Sequence, residues 1–148
     1  MANWIEINIH DYAAIRLAEN APTASLFTDM FEPFIAKGLP RYDLTITGEF
    51  EPLAGGAFGE AHGETEFHYT ATGLNLDVAK VQIVRSENGF HLNGKSELLV
   101  WALPLIDQIM VAKGAAMIHA LTVEYRGHGL CMPAWGGTGK TSTMAKRG

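Results

Sequence analysis

The alternation of apolar and polar positions predicts a small, largely antiparallel sheet in the first two thirds of the chain. This period of two, typical of strands, runs from Trp4 to Ile9, from Tyr42 to Thr47 and from Thr65 to Thr72. The residues between Val78 and Val84 predict a further strand. The segment from Ala54 to Gly63 holds four glycines and predicts a loop.

One helix interrupts these strands. Thr23 is its predicted N-cap, and Gly38 followed by Pro40 predicts its end. We expect Pro33 to kink this helix or divide it, because proline lacks the backbone donor that a helix interior needs. Apolar residues at spacings of three and four form one stripe: Leu26, Phe27, Met30, Phe31, Phe34 and Ile35.

Local signals continue into the last third of the chain. Asn88-Gly89 predicts a tight hairpin, since such turns need positive φ angles that these residues tolerate. Residues 97–113 are rich in Leu, Ile, Val and Met and predict a helix ended by Gly114, with a potential break at Pro104.

After this helix, residues 115–125 and 130–133 predict two strands joined by a turn at residues 126–129. The change of character near Ser96 predicts two parts. The whole is an α/β chain, in which a mixed, β-rich, α+β region at residues 1–96 precedes a second part at residues 97–148.

Composition narrows the classes of function. The net charge of −5 argues against broad electrostatic binding of nucleic acid. The single cysteine, Cys131, excludes an internal disulfide, and we expect it to be a small buried hydrophobe. No secretory signal is visible, and the most apolar stretch, Leu98 to Ala112, is too short to cross a bilayer. These features predict a cytoplasmic protein without a membrane partner.

The clearest chemical signal is a phosphate-binding loop. Glycines let several backbone N–H groups converge on a phosphate, and a helix predicted to start at Thr141 adds its positive N-terminal end. Lys140 would bind the β- and γ-phosphates, and the Thr141 hydroxyl would bind Mg²⁺. The predicted cradle for ATP and Mg²⁺ is Ala134, Trp135, Gly136, Gly137, Thr138, Gly139, Lys140, Thr141 and Ser142, with alanine instead of glycine at the first position.

The segment around this loop resembles the opening of the kinase core in HPr kinase/phosphorylase and its relatives. That family shows a strand with an Ile/Leu-His-Gly/Ala step, a glycine turn, a second strand and then the phosphate loop. Here Ile118-His119-Ala120 matches the step, Gly127-His128-Gly129 matches the turn, and Leu130-Cys131-Met132-Pro133 matches the second strand. The family shares its nucleotide-binding fold with phosphoenolpyruvate carboxykinase. The resemblance covers about a third of the chain.

The resemblance implies an ATP-dependent kinase that phosphorylates a protein or peptide hydroxyl. Lys140 and His119 would be catalytic, with His119 on the strand beside the loop, although a histidine packed in the core is equally consistent with the sequence. The family's catalytic acid and second magnesium carboxylate follow the loop, and this chain ends at Gly148. The sequence therefore predicts the N-terminal portion of such a kinase and leaves open whether the chain itself is an enzyme.

Several alternatives remain open at this point. The chain could be a nucleotide-binding or assembly module without catalysis, and an incomplete sheet would favour self-association into homo-oligomers. Partition-type ATPases have a similar loop but carry lysine where Trp135 stands. Transporter-type ATPases run strand, turn, strand and loop, but lack the step at His119. The remaining histidines, such as His91, have no metal-ligand spacing and predict surface positions.

Overall fold

The computed structural model describes residues 3–51, 57–61, 65–76, 80–95, 98–118 and 120–133. Contacts between Cα atoms divide the chain into two units, Met1–Ala115 and Ala116–Gly148. The boundary predicted from the sequence lies earlier, after Ser96. The structure differs because the helix that follows Ser96 packs into the core of the first unit.

The first unit is built on one sheet, to which the described part of the chain contributes nine strands. They are β1 (Trp4–Ile9), β2 (Ala13–Ala18), β3 (Ile35–Ala36), β4 (Leu44–Thr47), β5 (Ala57–Ala61), β6 (Thr65–Tyr69), β7 (Gly73–Leu76), β8 (Val81–Ser86) and β9 (Gly89–Gly94). Their order across the sheet is β3-β1-β2-β4-β9-β8-β7-β6-β5. Only the pairs β2–β4 and β4–β9 are parallel. The predicted mixed, largely antiparallel α/β fold is therefore confirmed.

Side-chain alternation gives this sheet one apolar face. The strand register places Ile7 opposite Ile15, Ile15 beside Leu44, and Ile46 beside Leu92. All five side chains are fully buried. Because successive residues of a strand point to opposite faces, their neighbours in sequence lie on the other face.

Two helices supply the rest of the core. Helix α1 (Ala24–Phe31) buries Phe27 and Phe31, whereas Leu26 on the predicted stripe is half exposed. Helix α2 (Leu98–Ala112) contacts β2, β4 and β9. Its buried residues are Leu98, Ala102, Leu105, Ile106, Ile109 and Met110. The buried side chains of both helices belong to the same apolar cluster as those of the sheet.

Pro33 divides the first helical segment, as its position predicts. Helix α1 ends at Phe31, and a 3₁₀ turn (Glu32–Phe34) with Pro33 near its start follows directly. Thr23 occupies the N-cap position, but its side chain makes no capping hydrogen bond. The end predicted at Gly38 and Pro40 is therefore wrong, because the α-helix stops at Phe31 before Pro33, and Ile35 and Ala36 form the short edge strand β3.

Helix α2 confirms the predicted helix and its end. Gly114 has a φ of +83°, and two hydrogen bonds close the terminus: Ala115 N–H donates to the Met110 carbonyl (2.9 Å) and Gly114 N–H donates to the Val111 carbonyl (3.1 Å). This pair of bonds is the Schellman pattern that glycine favours. Pro104 lies inside α2 without breaking it, so the break considered from the sequence does not occur.

The hairpin predicted at Asn88-Gly89 is also confirmed. Ser86 pairs with Gly89, so the loop between β8 and β9 has two residues. Gly89 has a φ of +130°, and a Cβ atom there would collide with the carbonyl group of Asp43. Glycine is therefore required by close approach of two backbones as well as by the turn.

Two predictions about strands in the first unit are wrong or incomplete. The segment from Ala54 to Gly63, predicted as a loop, contains β5, which pairs along its whole length with β6. Pairing with a neighbouring strand satisfies this backbone despite its glycines. Strands β2 and β7 are not predicted from the sequence at all, although both lie inside the sheet, β2 between β1 and β4 and β7 between β8 and β6.

The described part of the second unit is an antiparallel hairpin of β10 (Ala120–Tyr125) and β11 (His128–Pro133). Arg126 and Gly127 form its turn with φ angles of +53° and +78°, values that suit a tight two-residue connection. The predicted order of strand, turn and strand is confirmed, but residues 115–118 are not part of the first strand and the turn is two residues instead of four. The expectation that Cys131 is buried is wrong, because its side chain is exposed. Almost every residue of β11 is exposed, so no described element packs over this strand.

Candidate functional site

The predicted phosphate loop lies outside the described residues. This applies to Ala134, Trp135, Gly136, Gly137, Thr138, Gly139, Lys140, Thr141 and Ser142, and also to His119. The structure describes the hairpin between these two parts of the sequence. Strand β10 begins at Ala120, β11 ends at Pro133, and these two residues are register partners at the open end of the hairpin. The strand predicted to enter the loop is thus present directly before it.

A second group of polar residues lies on the open face of the sheet in the first unit. The register aligns Glu6 of β1, Arg16 of β2, Thr45 of β4 and His91 of β9. We call these four residues the polar row. Their sequence neighbours face the core, so alternation places the polar row on the opposite face of the sheet. No motif in the sequence indicated this alignment.

Arg16 is the most constrained side chain of the polar row. Its Nε donates a hydrogen bond to Thr45 Oγ1 (3.0 Å), and its Cζ lies 4.9 Å from the ring centroids of both Trp4 and Tyr42. Such contacts attract the cation to the ring faces and fix the plane of the guanidinium. Among the described residues, Arg16 forms no ion pair with a carboxylate. Its terminal N–H groups therefore keep their hydrogen-bonding capacity.

Glu6 is the register partner of Arg16 but is engaged elsewhere. Its carboxylate accepts hydrogen bonds from the Tyr42 hydroxyl and from the Leu39 backbone N–H, the latter at 3.1 Å. These two bonds lower the pKa of Glu6, and the bond from Tyr42 has the larger effect. The same bond to Glu6 raises the pKa of Tyr42. Donors other than Arg16 thus stabilise this negative charge.

Arg16, Thr45 and His91 line a cleft of about 760 Å³. The segment 40–43 and the hairpin tip 86–90 complete its lining. The cleft therefore combines two arginines (the other is Arg41, which is exposed) with an imidazole, hydroxyl groups, an amide and the carboxylates of Asp43 and Glu87. The two guanidinium groups are donors only, which suits a ligand that accepts hydrogen bonds.

Asp43 lies at the edge of this cleft, and its charge is compensated. Its Oδ2 accepts a hydrogen bond from the Ala14 backbone N–H (2.9 Å) and forms an ion pair with Lys113 Nζ (2.7 Å). Its backbone also bonds to β2 and to β9: Asp43 N–H donates to the Ala14 carbonyl (2.7 Å), and Phe90 N–H donates to the Asp43 carbonyl (2.8 Å). Asp43 therefore ties β2, β9 and the end of α2 together.

A second row of polar side chains lies on the same face of the sheet, and its members hydrogen-bond to one another. Thr47 Oγ1 donates to Asn93 Oδ1 (2.9 Å), and Asn93 Nδ2 donates to Gln82 Oε1 (2.9 Å). Each of these side chains meets a partner within the row. Arg16, by contrast, meets a partner in the polar row through one of its nitrogen atoms, Nε.

No local pattern in the sequence indicates the polar row, for two identifiable reasons. Arg16 lies in the strand that was not predicted, and His91 was expected to be one of several surface histidines, whereas it is half-buried. One signal was available: Arg16 is the only charged residue in the apolar run from Ala13 to Ala18. Its relation to Thr45 and His91 depends on parallel pairing of distant strands, which no local pattern specifies.

Comparison with known proteins found no matching family model, no similar curated protein and no similar solved structure. In the described ranges, no three or more His, Cys, Asp or Glu side chains cluster in a way that could hold a metal ion. No helix of these ranges is long and apolar enough to cross a membrane.

Proposed function

We propose that this chain is an ATP-binding phosphate-loop protein of the HPr-kinase-like type, whose activity is ATP-dependent phosphorylation of a protein or peptide hydroxyl. The observation that supports the proposal most is the hairpin of β10 and β11, whose second strand ends at Pro133, directly before the motif. A phosphate loop needs a strand that leads into it. The pattern of glycines with Lys140 and Thr141 supplies the required residue types.

The roles of the individual residues follow from phosphoryl-transfer chemistry. The backbone N–H groups of the glycines and the Lys140 ammonium group would bind the phosphates and stabilise charge on the transferred group. Thr141 would hold Mg²⁺, which neutralises charge on the phosphate oxygens. His119 would lie near the γ-phosphate, where an imidazole can accept or donate a proton. A cytoplasmic location is part of the same proposal.

Binding of ATP by the full chain is the direct test. We expect ATP with Mg²⁺ to raise the midpoint of thermal unfolding of the wild type and to have no effect on Lys140→Ala. Lys95→Ala is a matched control, because Lys95 is exposed and its side chain lies outside the motif. An equal shift for wild type and Lys140→Ala would refute the assignment of the site.

Turnover is a separate measurement. Release of ADP in the presence of a peptide acceptor, lost in Lys140→Ala, would indicate an enzyme. ATP binding without ADP release would favour the nucleotide-binding module without catalysis. Light scattering on the same samples tests the expected self-association, since a well-behaved monomer would contradict it.

A further inference from the structure

The polar row contains a cation, Arg16, that forms no ion pair with a carboxylate in the described part of the chain. Arg16 is half-buried, stacks on two aromatic rings and forms no ion pair among the described residues. The carboxylate across from it, Glu6, already accepts two hydrogen bonds from other donors. A partly desolvated guanidinium costs free energy unless hydrogen bonds compensate it, so a ligand that supplies acceptors would be bound favourably.

The geometry of Arg16 favours one kind of acceptor. Its plane is held by the rings of Trp4 and Tyr42, and its Nε is occupied by Thr45. The remaining N–H groups lie in the plane of the guanidinium and form a fork. Such a fork matches two oxygens of a carboxylate or a phosphate, and a pre-oriented fork loses little entropy on binding.

The surroundings of the cleft favour an anion as well. Arg41 and His91 line it together with Arg16. Of the acidic residues in the lining, Asp43 is compensated by Lys113, and Glu87 is exposed at the hairpin tip. The volume of about 760 Å³ is within the range of small-molecule sites, so the anion would be one group of a larger polar molecule.

We propose that the cleft over Arg16, Thr45 and His91 binds the oxyanion group of a small polar molecule, a phosphomonoester or a carboxylate. This site belongs to the first unit and does not depend on the phosphate loop.

The test is a ¹H–¹⁵N NMR titration of the full chain with inorganic phosphate and, separately, with succinate. Lys140→Ala is used as the background, so that phosphate bound at the predicted loop cannot contribute. We expect shifts of the Trp4 indole N–H and of the Thr45 and His91 amides. The stronger of the two ligands identifies whether phosphate or carboxylate is preferred. Sodium chloride at equal ionic strength should not reproduce these shifts.

Variants make the proposal falsifiable. Arg16→Gln should weaken binding about tenfold or more, the loss expected for charge-assisted hydrogen bonds. Because Arg16→Gln could also disturb the fold, Arg41→Gln provides a second test: Arg41 is exposed, so this variant should stay folded and bind several-fold more weakly. Arg126→Gln, on the hairpin turn, should bind like the background. Unchanged affinity in both cleft variants, or no shift in the polar row with either ligand, would overturn the proposal.

Discussion

The junction at Asp43 allows a quantitative prediction of stability. Asp43→Ala removes the acceptor for the Ala14 N–H (2.9 Å) and the partner of Lys113 Nζ (2.7 Å). The side chains of Asp43 and Lys113 are 18% and 29% exposed, so this is neither a buried nor a fully solvated ion pair. An unsatisfied, part-buried donor costs about 1–3 kcal/mol, and the partly screened ion pair adds roughly 1 kcal/mol. We therefore expect a loss of about 2–4 kcal/mol in the free energy of unfolding.

The assay is urea unfolding at neutral pH, followed by far-UV circular dichroism. Lys113→Ala removes only the ion pair and should cost about 1 kcal/mol. Asp43→Asn keeps an acceptor oxygen but loses the charge, so its loss should lie between those of the two alanine variants. The order Lys113→Ala, Asp43→Asn, Asp43→Ala is the specific expectation from the geometry.

Asp29→Ala is the matched control, since Asp29 is exposed on α1 and replacement by alanine suits a helix. The reasoning is refuted if Asp43→Ala is no more destabilised than this control. It is also refuted if a double-mutant cycle between positions 43 and 113 shows no coupling, because then the ion pair is absent in solution.

Three further predictions concern the first unit. Gly89→Ala should lose about 2–4 kcal/mol of stability in urea unfolding, because a positive φ and a collision with the Asp43 carbonyl act together. Pro104→Ala should raise the free energy of unfolding by about 1–3 kcal/mol, since alanine restores a helix hydrogen bond at an exposed position of α2. Tyr42→Phe should remove a pH-dependent contribution. Because the pKa of Glu6 is lowered in the folded state, the Tyr42–Glu6 bond stabilises the fold above pH 4.5, and this contribution is lost as the pH falls through the folded-state pKa of Glu6. Because the pKa of Tyr42 is raised, the same bond stabilises the fold below pH 10.0, and this contribution is lost as the pH rises through the folded-state pKa of Tyr42.

Each of these predictions has a control or a contrary outcome. Gly129→Ala should be nearly neutral, as no atom lies within 4 Å of its added Cβ. A destabilised Pro104→Ala would mean that the proline ring packs against something essential. A stability difference between wild type and Tyr42→Phe that is the same at pH 3 and pH 7 would contradict the contribution of the Glu6 bond.

Much of the local structure could be predicted from the sequence. The two-residue period identified β1, β4 and β6, and the helical stripe identified α1, which Pro33 divides from the following turn as expected, although the predicted end at Gly38 is wrong. Gly114 and the Asn88-Gly89 step located a helix end and a hairpin, because both depend on φ angles that few residues adopt. Each of these features depends on residues that are close together in the sequence, so a short segment of the chain is enough to predict it.

The prediction of a phosphate loop depends on the sequence in the same sense, since the expected chemistry follows from residue types and spacing without reference to distant residues. The polar row is different. Arg16, Thr45 and His91 are separated by long stretches of sequence, and only the parallel pairs β2–β4 and β4–β9 align them. The sequence by itself determined several strands, the end of α2 and the hairpin between β8 and β9, and it predicts which residues hold a phosphate. The tertiary structure alone decided which strands are neighbours and that α2 joins the first unit, because burial of the shared apolar face selects among pairings that are locally equivalent.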